Sequence, residues 1–492
     1  SDLEPIGIHP VYATPNDGFY ADQWHLHQAS DHDVDAPEAW DVETGNPAIV
    51  VAVLDTGVRY YHKDLGGANA SPTNPGAADG NMWINWAEKN GVAGVDDDGN
   101  GYVDDWVGYD FVTGVTGCWS GEDCSTADND PRDFNGHGTH CAGNISAINN
   151  NGYATCAPSG GWGSGSLEAL GNGVKTMALR VGYSASYFGQ EAGFVGMDFC
   201  AEAFYYAANN GAHITSCSWG SSNDGGLGAA VDYFLAQGGL IFKAAGNSGN
   251  TNADYLCGRS DVISVAATDA NDCKADFSTY GTWVDISAPG VDILSLYHSH
   301  DDPSGDYVAA VSGTSMATPL AASVAALIWS QNPTWSASQV EQRLHDTADD
   351  IYAEGCNSSY IGMLGAGRVN AFRAVETGTA PPTAAFSGTP RSGCVPLTVA
   401  FTDASTGEIS SYAWDFGDGG SSTVQNPTHE YTAAGAYTVS LTVTGPGGSN
   451  TETKTGYIVV SDVPVAEFTG TPVSGSAPLT VQFTDLSTGQ PD

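Results

Sequence analysis

The segment from Met316 to Trp329 is Ala-rich and apolar on nearly every side. A helix with no polar face has to be enclosed by its fold rather than laid on the surface. Pro319 fits such a helix in the first turn, where its missing N–H has no intrahelical partner to lose. The enclosing layers are indicated by Val50–Leu54, a wholly apolar run that reads as a parallel strand buried on both faces. Gly239–Ala245 reads as a second buried strand. The expected fold class is therefore α/β, a mainly parallel sheet flanked by helices.

Polar residues gather where these elements end. Asp55 follows the first strand, at the carboxyl edge where open α/β sheets place their sites. His137 opens a stretch to Ala147 with apolar residues at helical spacing, and Ser315 stands at the mouth of the buried helix, where N–H groups and the positive end of the helix dipole converge. The turn Gly246-Asn247-Ser248-Gly249 presents an amide after the second strand. Taken singly these are weak signals, because Asp after a strand is often a cap or turn residue and Gly-Thr-Ser turns are common. Together they supply a nucleophile, a general base, a carboxylate to fix one imidazole tautomer and an oxyanion donor: Ser315, His137, Asp55 and Asn247.

The motifs Leu-Asp55-Thr-Gly, His137-Gly-Thr-His-Cys-Ala-Gly, Ala-Ala-Gly-Asn247 and Gly-Thr-Ser315-Met-Ala-Thr-Pro occur in the order of a subtilisin-like serine protease, and residues 14–377 resemble that family. The resemblance implies a serine endopeptidase acting on extended polypeptides. It also implies that Ser218-Trp219-Gly220 pairs with the substrate backbone, and that Ala244-Ala245-Gly246 forms the facing wall of the pocket for the residue preceding the scissile bond. Cys217 stands where many relatives carry Met or another apolar residue.

Calcium is implied twice. Asp96, Asp98, Asn100, the Tyr102 carbonyl and Asp104 follow the spacing of an EF-hand loop, but Val107 takes the place of the closing Glu, leaving Asp105 or another loop to complete the shell. A second set comes from the family resemblance alone: Asp17, Asp64 and Asn151, with the carbonyls of Ile148, Tyr153 and Thr155.

The chain of 492 residues carries 57 Asp and Glu against 14 Lys and Arg, a formal charge of −43. Such a field repels phosphates and disfavours nucleic acid as a partner. No apolar run reaches membrane-spanning length. Ten cysteines fit an oxidising compartment and a secreted protein, with Cys118–Cys124 and Cys257–Cys273 the preferred bridges and Cys141 a buried free thiol. Residues 1–13 are read as a propeptide remnant or N-terminal arm, with the leader already removed.

Beyond Val375 the composition turns to Thr, Gly, Ser and Pro. Residues 378–383 read as a linker, and 384–461 as a small immunoglobulin-like β-sandwich that resembles a polycystic-kidney-disease (PKD) domain through Trp414-Asp-Phe-Gly-Asp-Gly419 and Asn426-Pro-Thr-His-Glu-Tyr431. Phe386-Ser-Gly-Thr-Pro390 returns as Phe468-Thr-Gly-Thr-Pro472, 468 − 386 = 82 residues later, so 462–492 read as a truncated second repeat. Such a module suits attachment to collagen, another matrix protein or chitin, although Trp414 and Phe416 at alternating positions are better read as core. The expectation is a secreted, monomeric, calcium-stabilised protease. The alternative is a matrix-binding protein with a silent protease domain.

Overall fold

A computed structural model describes residues 12–376, 381–407, 409–445 and 448–488. The readings at 1–11, 378–380 and 489–492 lie outside the described residues. Contacts divide the chain into two units, Ser1–Glu376 and Thr377–Asp492.

The first unit is built on β1 (Val50–Asp55), β2 (Gly108–Asp110), β3 (Lys175–Arg180), a hairpin of β4 (Gly182–Tyr187) and β5 (Gln190–Val195), then β6 (Ile214–Cys217), β7 (Leu240–Ala244), β8 (Ile263–Thr268) and β9 (Ile286–Pro289). Seven of these form one sheet in the order β2-β3-β1-β6-β7-β8-β9, with every pairing parallel. The expected α/β architecture is the one observed. All six residues of β1 are buried because its two faces meet different layers. Val51 and Val53 join the core containing the His137–Ser146 and Thr314–Gln331 helices. Val50, Ala52 and Leu54 join the core under Met197–Asn209 and Leu227–Ala236.

The Thr314–Gln331 helix is enclosed as its composition requires, with Leu320 through Leu327 wholly inaccessible among the apolar positions. It begins earlier than expected, which puts Pro319 at its sixth residue rather than in the first turn. The missing Pro319 N–H leaves the Ser315 carbonyl without its usual helical partner. That carbonyl instead accepts Ser218 Oγ at 2.9 Å and Cys141 Sγ at 3.5 Å.

Cysteine pairing differs from the expectation at one bridge. Cys118–Cys124 forms, but Cys273 pairs with Cys356 across 83 residues, while Cys257 is a buried free thiol. Cys257 faces inward beside β7, where its Sγ donates to the Ala244 carbonyl at 3.5 Å, so it points away from a surface bridge. Cys141 is free and buried.

The second unit contains a three-stranded sheet, Phe386–Thr389, Leu397–Asp403 and Thr428–Tyr431, and a five-stranded sheet, antiparallel except where Ser392–Cys394 runs parallel to Gly448–Ser461. Trp414 and Phe416 are core residues, 2% and 1% exposed, and Trp414 Nε1 donates to the Val424 carbonyl at 3.0 Å. This removes Trp414 as a platform for a polymer. Phe468–Thr471 pairs with Gln482–Asp485 in the register that Phe386–Thr389 keeps with Ala400–Asp403. Phe468 and Phe483 are nevertheless 71% and 66% exposed, whereas Phe386 and Phe401 are buried. Among the described residues no helix is long and apolar enough to cross a membrane.

Candidate active site

Three adjacent strands, β1, β6 and β7, bring Asp55, Ser218–Gly220 and the Asn247 turn to one edge of the sheet. His137 and Ser315 arrive on the first turns of two helices packed over that edge. Asp55 Oδ1 lies 2.7 Å from His137 Nδ1 and also accepts the Thr56 N–H at 2.8 Å. A carboxylate on Nδ1 fixes the proton there and leaves Nε2 as the basic nitrogen. Burial alone would depress the His137 pKa, but the Asp55 charge outweighs it and holds the imidazole well above its ordinary range.

Close backbone approach makes this pairing possible. A Cβ at Gly138 would stand 2.0 Å from the Gly57 carbonyl, and Gly57 itself has φ +107°. Asp133 secures the same turn. Its buried carboxylate accepts Gly136 N, Thr139 N, Thr139 Oγ1 and Thr56 Oγ1 at 2.7–2.9 Å. Sequence reasoning passed over Asp133, which stands three residues before the Gly136 N-cap and so outside the usual capping position.

Ser315 Oγ donates to the Ser218 carbonyl at 3.1 Å. The structure thus joins His137 to Asp55 directly and rests the Ser315 hydroxyl on Ser218. Asn247 Oδ1 accepts both Thr314 N and Thr314 Oγ1 at 2.9 Å, which turns its amide nitrogen the other way. A Cβ on Gly313 would lie 3.4 Å from Asn247 Nδ2 and 3.6 Å from Ser315 N, so glycine keeps the space beside these two donors open.

A cavity of ≈ 690 Å³ runs along this edge, lined by Asp55, His137, Phe194, Met197, Ser218–Ser222 and Asp254. Trp219 sits in its wall with Nε1 donating to the Leu54 carbonyl at 2.6 Å. Ala244 and Ala245 are buried alongside Gly246, whose N–H donates to Thr314 Oγ1 at 3.1 Å. His140, next to His137, is fully inaccessible and sits against the Ile293 and Ala309 carbonyls at 3.0 Å, so it holds structure rather than facing the cleft. Burial pushes its pKa down to about 4.

Asp17, Asp64 and Asn151 are gathered in one buried pocket. Asn151 Nδ2 donates to Asp64 Oδ1 at 2.7 Å, Thr155 N to Asp64 Oδ2 at 2.9 Å, and Asn150 N to Asp17 Oδ2 at 2.6 Å. Ile148 N donates to the Asp64 carbonyl at 3.0 Å and Tyr153 N to Asn151 Oδ1 at 2.8 Å. Neither carboxylate has a cationic side chain paired with it among the described residues, and burial raises the pKa of both. Thr155 Oγ1 is buried beside them with no hydrogen-bond partner among the described residues. Two buried carboxylates and an orphaned oxygen fit a hard cation.

The Asp96–Asp105 loop is arranged otherwise. Asp98 and Asp105 converge with Glu88, their oxygens within 4.8 Å of one another, and Asn100 and Asn85 donate into the group. Asp96 spends its carboxylate on Gly99, Asn100 and Gly101 N–H groups, and Asp104 on Gly94 N. The Tyr102 ring packs edge-on against Tyr109 and Tyr206. Glu88, from the short Trp86–Lys89 helix, was not legible in the loop spacing because it stands outside the loop.

The chain is similar to known proteins over most of its length. The description "Subtilase family" matches residues 46–367 and "PKD domain" matches 379–460. Thermitase from Thermoactinomyces vulgaris is 34% identical over 375 residues, covering 74% of this chain and 99% of thermitase. A thermophilic serine proteinase from Bacillus sp. (strain AK1) is 32% identical over 375 residues, covering 76% of this chain and 72% of its own. A solved structure titled as proteases from Pseudoalteromonas arctica superposes with a TM-score of 0.55 at 26% identity, covering 74% of this chain and 99% of that one.

Proposed function

Since the chain belongs to the subtilase family and is a serine endopeptidase, we propose that it is secreted, stabilised by calcium, and cleaves extended polypeptides through Ser315, His137, Asp55 and Asn247. The observation that carries this reading is the 2.7 Å contact of His137 Nδ1 with Asp55 Oδ1 at a cleft open to substrate.

Ser315 Oγ turns from the Ser218 carbonyl toward His137 Nε2, which takes its proton as the oxygen attacks the peptide carbonyl. Asp55 holds the imidazole orientation and stabilises the imidazolium that forms. Asn247 Nδ2 and the Ser315 N–H donate to the oxyanion. His137 then returns the proton to the leaving amine, and water repeats the sequence on the acyl-enzyme. Ser218–Gly220 offers backbone groups to an extended substrate, and Ala244–Gly246 faces it across the pocket. Asp17, Asp64 and Asn151 would hold one calcium ion and Glu88, Asp98 and Asp105 a second, and its positive charge would tie the surrounding loops together. The second unit serves as a spacer.

A fluorophosphonate probe applied with and without EDTA, its adduct mapped by mass spectrometry against a Ser315→Ala control, tests the assignment. Stoichiometric labelling of Ser315 that EDTA diminishes is expected. A folded, calcium-loaded sample that takes no label would favour a silent, matrix-binding protein.

A further inference from the structure

Lys243 is a buried charge that the proposed chemistry does not use. It lies in β7, an otherwise apolar strand, with a side chain only 1% exposed. An ammonium so enclosed persists only with a partner. Its Nζ lies 3.0 Å from Asp254 Oδ2 and donates to the Ala244 carbonyl at 2.6 Å.

Asp254 is the member of the pair that reaches the cleft. Its side chain is 25% exposed and lines the same cavity as His137 and Ser218. Its carboxylate also bridges the two substrate-facing segments. Oδ2 accepts Ser221 N at 2.8 Å, directly after Ser218–Gly220, while Lys243 leads directly into Ala244–Gly246; Oδ1 accepts Cys257 N at 3.0 Å.

We propose that the Lys243–Asp254 pair forms the floor of the pocket for the substrate residue preceding the scissile bond, and that Lys243 neutralises Asp254 so that this pocket does not select a basic side chain. The inference rests on the assignment of Ser218–Gly220 and Ala244–Gly246 as the pocket walls. Asp254 touches the substrate side chain, and Lys243 acts through it as a positioning residue. A carboxylate on a partly desolvated floor attracts a lysine or arginine side chain. Here one lone-pair direction is taken by a buried ammonium and two by backbone N–H groups. The floor is polar and net neutral, so uncharged residues enter at least cost and either full charge is disfavoured.

The test uses the full calcium-loaded chain and peptides identical except for Leu, Phe, Lys or Glu before the scissile bond. Wild type is expected to cleave the Leu and Phe peptides about tenfold or more faster, in kcat/KM, than the Lys peptide. Lys243→Met keeps the length of the side chain without its charge, and is expected to raise the Lys-to-Leu ratio about tenfold, chiefly through KM. Asp254→Asn should raise the Glu-to-Leu ratio instead, and the double variant should return both ratios toward wild type. A purely structural role would lower all four rates together and leave the ratios unchanged. A wild type that prefers Lys to Leu, or a Lys243→Met enzyme that still cleaves the Leu peptide with an unaltered Lys-to-Leu ratio, would overturn the proposal. Should Lys243→Met not fold, an unchanged Glu-to-Leu ratio in Asp254→Asn does the same. Failure of folded wild type to cleave any of the four peptides would count against the protease assignment, not the pocket floor.

Discussion

Thr314 grips the Asn247 side-chain carbonyl with both its backbone N–H and its hydroxyl, each at 2.9 Å. The amide nitrogen therefore has one orientation, toward the space that Gly313 leaves open beside Ser315 N. A donor fixed before charge develops costs no reorganisation during the reaction. Asn247→Ala should lower kcat about 10²–10³-fold with little change in KM, a size taken from subtilisin, the relative in which such a loss is known, rather than from this geometry. Thr314→Val keeps the N–H bond and should lose only about tenfold. Steady-state kinetics on one peptide checks both, and an Asn247→Ala enzyme with undiminished kcat would remove Asn247 from the reaction.

In the proposed mechanism the Asp55 charge should also set the working pH. It raises the His137 pKa against the downward push of burial, and only neutral imidazole can accept the Ser315 proton. The acid limb of kcat/KM should consequently lie above the ordinary histidine value of about 6.5. Asp55→Asn removes the largest influence opposing burial and should move that limb to lower pH while reducing kcat by about 10⁴-fold. A pH–rate profile of the two enzymes decides it; an unshifted limb in the variant would mean that another group titrates.

Short-range chemistry made much of this legible in the sequence, and long-range convergence hid the rest. The run Val50–Leu54 and the all-apolar helix require a layered fold wherever they occur, and residues tied to their ends inherit their positions. Glu88 could not be read, because its meeting with Asp98 and Asp105 depends on how a four-residue helix packs against a loop. Cys356 is the same problem at greater distance. Order along the chain favoured the nearer Cys257 for Cys273, whereas β7 and its neighbours bury Cys257 and leave Cys273 beside Cys356. Lys243 shows the opposite failure: pattern reading absorbed it into an apolar strand, and its partner became visible only in the fold.

That distant bridge should matter for stability. Cys273–Cys356 closes a loop of 83 residues that includes the Thr314–Gln331 helix and hence Ser315. Restricting so long a segment in the unfolded chain is worth about 2–4 kcal/mol. Replacing both cysteines with serine should lower the unfolding free energy by that amount in calcium-containing denaturant titrations, while kcat at low temperature stays near wild type. Removing the six-residue Cys118–Cys124 link should cost clearly less. Equal losses would argue that local strain, not loop closure, governs both.

Calcium removal should act more strongly as pH rises, and the sign follows from the buried carboxylates. Burial raises the folded-state pKa of Asp17 and Asp64, and Asp17 pushes Asp64 higher still. Without the ion, each acid contributes its full stability below its unfolded value of about 4 and loses it as pH rises through the folded value. With the ion bound, ionisation is what binding requires, so protons compete with calcium and the loaded form does not share that loss. The drop in Tm caused by EDTA should therefore grow as pH rises above the unfolded carboxylate value of about 4. Asp64→Asn should flatten that growth, and Glu88→Gln, which touches only the other acidic group, should preserve it. Thermal melts of the three proteins in calcium and in EDTA measure the effect, and an EDTA-induced drop independent of pH in wild type would place the ion elsewhere.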